Sequence, residues 1–209
     1  MLPPTIPIFP LPNVVLFPNV FLPLHIFETR YRQMVDAALG GDRIIGMVLL
    51  RPGWEANYEE RPAVYPIGCA GVITHAERLP DGRFNIVLRG MEKFRIAAED
   101  TERLYRIAHV ETVDEPPAAS CRTEMRTERR RLEALLVPQP EGQPDPKVPS
   151  SMPDEDLVNA LAQYLELEPV EKQALLERDG LLDRCRSLIE LLEMKVLVAR
   201  HSWERDGVH

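Results

Sequence analysis

Lysine is nearly missing from this chain: only Lys93, Lys147, Lys172 and Lys195 occur, against 21 arginines. No G-x-x-x-x-G-K-[ST] run is present, which excludes a nucleoside triphosphate cradle of that type. Neither a G-x-S-x-G elbow nor an H-E-x-x-H pair occurs. Cysteine is also scarce. Cys69, Cys121 and Cys185 lie far apart, with no metal spacing and no disulfide framework, as expected in a reducing compartment. No stretch reaches the roughly 18 apolar residues of a membrane span. Met1-Leu2-Pro3-Pro4 lacks the basic segment and apolar core of a secretory signal, so the expected location is the cytoplasm.

Excess positive charge is absent too. The net charge of -8 divides as -3 over residues 1–117 and -5 over 118–209, which weighs against a general nucleic-acid binder. With 44% hydrophobic and 28% charged residues, the 209-residue chain can bury a proper core. His25, His75 and His109 match no metal-ligand spacing, and a structural role is expected for each. For His25 that role is a hydrogen bond to a local backbone group. Cys69 lies in an apolar run and reads as a buried small residue. The sequence therefore points to no catalytic residue, no cofactor and no metal.

What is present begins with a proline-broken apolar ribbon, Ile6 to Phe27. Pro7, Pro10, Pro12, Pro18 and Pro23 cannot donate to a ladder, so the ribbon reads as short extended pieces and turns. Tyr31, Met34, Val35, Ala38 and Leu39 then place one apolar stripe on a helix, opened by Glu28 or Thr29 and closed by Gly40-Gly41. Arg43 to Leu50 reads as a buried strand. Trp54 to Pro66 reads as a charged, proline-bounded loop. Val72–Arg78 and Phe84–Leu88 alternate around Asp81-Gly82, a strong hairpin signal in which both residues tolerate positive φ. Arg89-Gly90-Met91 predicts a bulge or corner, Phe94 and Ile96 resume the alternation, and Tyr105–Val113 is a further strand. Short strands joined by tight turns suggest a small closed or half-closed barrel.

From Ala118 the pattern is helical. Helices are expected over Ser120–Leu136, Asp154–Leu165, Val170–Glu177 and Leu181 to about Trp203, the last with Leu188, Leu191, Leu192 and Val198 on its apolar side. Arg129-Arg130-Arg131 reads as a solvated face with i,i+4 acidic partners. Residues 138–153 form a proline-rich loop.

Three blocks in series resemble the N-terminal substrate-binding domain of Lon proteases. They are the ribbon IPIFPLPNVVLFPNVFLPLHIFETRYRQMV, the segment IGCAGVITHAERLPDGRFNIVLRGMEKFRI, and the later KQALLE and DRCRSLIELLEMKV. Together they span about Thr5 to Arg200, and PLHIFETRYRQM (Pro23–Met34) is most similar to free-standing bacterial members. The resemblance implies an α+β fold: a PUA-like β pseudo-barrel with an inserted short helix over residues 1–117, then a C-terminal α-helical bundle over 118–209. It also implies recognition of polypeptides without widely shared catalytic residues. Full-length Lon continues into an ATPase and a Ser-Lys protease, and neither is read in these residues, so no ATP-dependent proteolysis is expected of them.

The leading expectation is a non-catalytic module whose partner is an unfolded or specific polypeptide. Its surface would lie where the ribbon meets the bundle or along the Trp54–Pro66 loop, with Trp54, Tyr58, His25, Arg30 and Arg32 as candidate residues. An RNA-binding PUA-like module is the alternative, carried by Arg78, Arg83, Arg89, Lys93 and Arg95. An enzyme with a dispersed site is a third.

Overall fold

The computed structural model describes residues 2–58, 60–100, 103–116, 121–136 and 152–206. Six strands alternate with five helices: β1 (Thr5–Leu11), β2 (Phe21–Ile26), α1 (Thr29–Leu39), β3 (Ile44–Leu49), β4 (Ile67–Arg78), β5 (Phe84–Asp100), β6 (Arg106–Thr112), α2 (Arg122–Leu136), α3 (Asp154–Tyr164), α4 (Pro169–Leu176) and α5 (Leu181–Asp206). The chain divides into two compact units. Met1–Asp114 and Asn159–Glu177 form one, Glu115–Val158 and Arg178–His209 the other. The sequence expectation of 1–117 and 118–209 differs in one respect: Asn159–Glu177 belong with the sheet. The proline-rich 138–153 loop lies outside the described residues except for Met152 and Pro153.

In the first unit the strand order is β2-β5-β4-β3-β1-β6, and β5 also pairs with β6, which closes the barrel. Only β1 and β3 are parallel. The ribbon prolines fit because β1 is paired on one side at a time. Thr5–Ile8 meet β6 and Ile8–Leu11 meet β3, so Pro7 and Pro10 each sit where one flank has no ladder. Pro23 sits in β2, which pairs only with β5.

The barrel core gathers Ile6, Ile8, Val48, Ala70, Phe94 and Ala108. Phe94 reaches across because Gly46 and Gly68 leave room for its ring: a Cβ on either would lie 2.7 Å from Phe94 Cζ. Phe9, next to Ile8 and so on the opposite face of β1, packs against Tyr31 of α1 with ring centroids 4.3 Å apart. The predicted α1 stripe is observed: Tyr31, Met34, Val35 and Ala38 are buried.

The bulge expected at Arg89-Gly90-Met91 is observed, and β5 continues through it. Gly71 faces Gly90 but Cys69 faces Lys93, so β5 carries one extra residue there. At the β4–β5 turn only Gly82 has positive φ (81°). Gly82 N–H donates to Leu79 O (2.9 Å) and Leu79 N–H to Arg83 O (2.8 Å), the pattern of a three-residue loop rather than a two-residue one.

In the second unit α2 and α5 are tied by ion pairs. Arg131 meets Glu193 (2.7 Å), and Arg186 meets Glu124 (2.6 Å) and Glu128 (3.3 Å). Arg131–Glu193 and Arg186–Glu124 both join residues 62 apart in sequence, so the two helices run parallel. Arg129, read as part of a solvated face, has its i,i+4 partner Glu133 (2.8 Å) and also reaches Asp154 (2.7 Å). Val198, expected on the apolar side of α5, is exposed, because the helix outruns its buried stretch around Leu188 and Ile189.

Glu155 of α3 carries a raised pKa. Burial is the main cause, Glu115 adds to it and Arg184 opposes it. A carboxylate raised in the folded state leaves stability intact below the unfolded value and reduces it as pH rises through the folded value. Glu155→Gln should therefore raise the thermal midpoint at about pH 7 and leave it unchanged at about pH 3, as followed by circular dichroism.

Candidate functional site

The first unit contains an open cleft of about 710 Å³. Three segments build it: the start of α1 (Glu28, Thr29, Arg30, Tyr31), the Tyr58–Pro62 stretch, and the β5–β6 connection (Arg103–Arg106), with Pro10 and Leu50 in its wall. Tyr31 belongs to the buried stripe of α1, yet it also lines the cleft, since the stripe's first residue reaches the barrel rim.

Tyr58 and Arg30 meet over Glu28. Tyr58 Oη–H donates to Glu28 Oε1 (2.8 Å), and Arg30 Nε donates to Oε2 (3.0 Å). Arg30 Nη2 lies 2.9 Å from the same oxygen but outside hydrogen-bond geometry, and it is a buried donor without an acceptor. The Arg30 guanidinium stands 4.7 Å from the Tyr31 ring centre and 4.9 Å from that of Tyr58, and Trp54 meets Tyr58 edge-on at 5.5 Å. Burial pushes Tyr31 well above the ordinary phenol range, so it stays a neutral hydroxyl donor. Burial raises Tyr58 as well, with the hydrogen bond to Glu28 adding to the shift.

Arg106 closes the floor, donating to both oxygens of Glu99 (2.7 and 2.5 Å) and to Pro62 O (2.7 Å). Arg61 clamps the β5–β6 connection through Asp100 O (2.8 Å) and Arg103 O (3.0 Å). Arg103 donates to the Tyr105 phenol oxygen (2.6 Å). Beside them Leu104 is 72% exposed, an unusual position for a leucine.

Of the five sequence candidates, Tyr58 and Arg30 line this cleft, and Trp54 packs against Tyr58 without lining it. His25 and Arg32 do neither. His25 lies exposed on β2, with Nδ1 2.8 Å from Asn85 Oδ1 and Nε2 3.3 Å from Arg83 Nη1. Its partners are side chains across the strand pair, not the local backbone. Arg32 lies over the hairpin turn, where a Cβ on Gly82 would come 2.4 Å from its Nη2. Where the ribbon meets α3, hydrogen bonds fill the junction: Phe17 N–H to Gln163 Oε1 (3.2 Å), Asn159 Nδ2–H to Pro18 O (3.0 Å) and Tyr164 Oη–H to Phe21 O (2.8 Å).

The proposed RNA face loses a member, because Lys93 is 2% exposed. Arg78 and Arg83 pair with Asp36 and Asp81, which leaves no unopposed basic stripe among these residues. Cys69 and Cys185 are buried, and burial pushes the Cys185 thiol up to about 12, so Cys185 supplies no thiolate. Among the described residues no group of His, Cys, Asp or Glu could hold a metal ion, and no helix is long and apolar enough to cross a membrane.

The sequence reading missed Glu28, Arg61, Arg103, Leu104 and Tyr105, and it placed Tyr31 only in the core. A faint signal existed in Arg103-Leu104-Tyr105-Arg106, where bulky side chains crowd a strand start after a turn.

A closed β pseudo-barrel with an early inserted helix and a separate helical unit define an α+β fold of the PUA-like kind. Within that class the chain belongs to the family of the ATP-dependent protease La (LON) substrate-binding domain, whose model matches residues 5–194. It is 30% identical over 203 residues to the Lon protease of Trichlorobacter lovleyi, covering 91% of this chain and 24% of that protein. Lon protease of Escherichia coli K12 is 24% identical over 198 residues, with 91% and 25% covered. The chain thus spans about a quarter of the length of these relatives. Two solved structures share the fold. The N-terminal domain of Mycobacterium avium complex Lon protease has a TM-score of 0.64 at 18% identity, covering 90% of this chain and 98% of that one. A Lon N-terminal domain protein from Xanthomonas campestris has 0.59 at 20%, covering 89% and 97%.

Proposed function

We propose that this chain is a non-catalytic recognition domain for extended segments of polypeptide, held in the cleft between α1, Tyr58–Pro62 and Arg103–Arg106. The observation that carries this reading is the cleft's lining. The exposed Leu104 offers apolar contact beside walls formed by Pro10 and Leu50, while the Tyr31 hydroxyl and the Arg61 and Arg103 guanidiniums face backbone carbonyls of a bound segment. An unfolded segment presents that same alternation of apolar side chain and polar backbone. Family membership supports the reading.

The test is fluorescence anisotropy with a labelled, reduced and carboxyamidomethylated polypeptide that cannot refold. Saturable binding at micromolar concentration is expected. Leu104→Ser should weaken it about fivefold to tenfold, the worth of one apolar side chain taken from water, without changing the thermal midpoint. No binding by the wild-type protein, or equal binding by the variant, would count against the cleft.

A further inference from the structure

Resting on that reading, we propose that the cleft selects polypeptide segments carrying a carboxylate, with Tyr31, Arg61 and Arg103 as its donors. Tyr31 is 4% exposed and lines the cleft, yet its hydroxyl makes no hydrogen bond among the described residues. Phe9 packs against its ring and the Arg30 guanidinium covers it. Held this way, the ring has little room to carry the hydroxyl to another partner. The hydroxyl is not sealed from solvent, so it can turn from water to a ligand acceptor in the cleft.

Arg30 adds a guanidinium to the cleft wall, although its Nη2 is enclosed 2.9 Å from Glu28 Oε2. Arg61 and Arg103 contribute two guanidiniums whose bonds go to neutral oxygens only: Asp100 O, Arg103 O and the Tyr105 phenol. Neither meets a carboxylate among the described residues. With Arg106 held by Glu99 and Arg30 by Glu28, the lining still sets Arg61 and Arg103 against Glu60, in a protein whose net charge is -8. Such a local reversal of sign inside low-dielectric walls attracts an anion. Unused donors with surplus positive charge call for an acceptor bearing a negative charge. On a polypeptide that is an Asp or Glu side chain or the terminal carboxylate.

Three fluorescein-labelled peptides test this against the intact chain: a Leu-Asp repeat with an amidated C-terminus, its Leu-Asn counterpart, and the Leu-Asn peptide with a free carboxylate. Side-chain recognition predicts that the Leu-Asp peptide binds about tenfold more tightly than the amidated Leu-Asn peptide, with the preference shrinking as salt rises. Terminal recognition predicts that preference for the free-carboxylate peptide. Tyr31→Phe keeps the ring packing and Arg103→Gln alters an exposed side chain. Each should cut the preference several-fold, weakening the carboxylate-bearing peptide more than the amidated Leu-Asn peptide. Equal binding of all three peptides by the wild-type protein overturns the carboxylate selectivity while leaving polypeptide recognition standing. Binding of none overturns both. If Arg103→Gln lowers the thermal midpoint, the wild-type comparison and Tyr31→Phe still decide.

Discussion

Gly90→Ala is expected to destabilise the barrel unit by about 3 kcal/mol or more, a large share of the roughly 5–15 kcal/mol that holds a domain folded. An added Cβ would lie 2.0 Å from Phe17 O, 2.8 Å from Phe17 C and 3.2 Å from Pro18 Cα. All three are backbone atoms, so no side chain can swing aside. The strand and ribbon are also stitched at this point: Gly90 N–H donates to Val20 O (2.9 Å), and Asn19 N–H donates to Gly90 O (3.0 Å). Pushing the ribbon outward would strain the Asn159 and Gln163 hydrogen bonds to Pro18 and Phe17, so the damage would spread into α3. Urea unfolding followed by far-ultraviolet circular dichroism gives the readout. Gly40→Ala serves as the control, since its Cβ would meet nothing nearer than 3.6 Å and its φ of -79° suits alanine. That variant should fall within about 0.5 kcal/mol of wild type. A Gly90→Ala midpoint equal to the control's would mean that the close approach does not exist.

Gly90 also shows where the sequence was readable and where it was not. Its position between two alternating runs announced an irregularity, and the bulge lies there. The burial beside it stayed hidden. Alternation counted back from buried Phe94 puts Lys93 on the opposite face of β5, yet both are buried, so both faces of the strand are covered at this point. The α1 stripe, the Gly82 turn and the helices after Pro153 were legible because each depends on spacing within a dozen residues. The cleft depends on groups brought from Arg30, Tyr58 and Arg103, segments far apart in sequence with no shared period. Trp54, Tyr58 and Arg30 could be named as candidates from residue type alone. That Tyr58 shares Glu28 with Arg30, and that Tyr31 faces the cleft from a core stripe, required the barrel to be closed first.

In the second unit the largest single loss is expected from Glu115→Gln. Arg184 is 0% exposed and donates to Glu115 Oε1. Removing one member of a buried ion pair costs about 3–5 kcal/mol. The loss should fall toward the lower end of that range because a second carboxylate stands by. Burial, with Glu115 adding to it, raises the Glu155 pKa, and Arg184 pulls it the other way. Without Glu115, Glu155 ionises more readily and takes over part of the compensation. Glu155→Gln in the Glu115→Gln background should therefore destabilise, whereas the same change in the wild-type protein stabilises at neutral pH. That reversal of sign is a coupling that two independent sites cannot produce. Adding Arg184→Met to the double variant should recover most of the loss, since an apolar side chain in that position strands no charge. Urea midpoints monitored through the helical signal give the full cycle. If Glu155→Gln has the same sign and size in both backgrounds, the three residues do not share one buried charge.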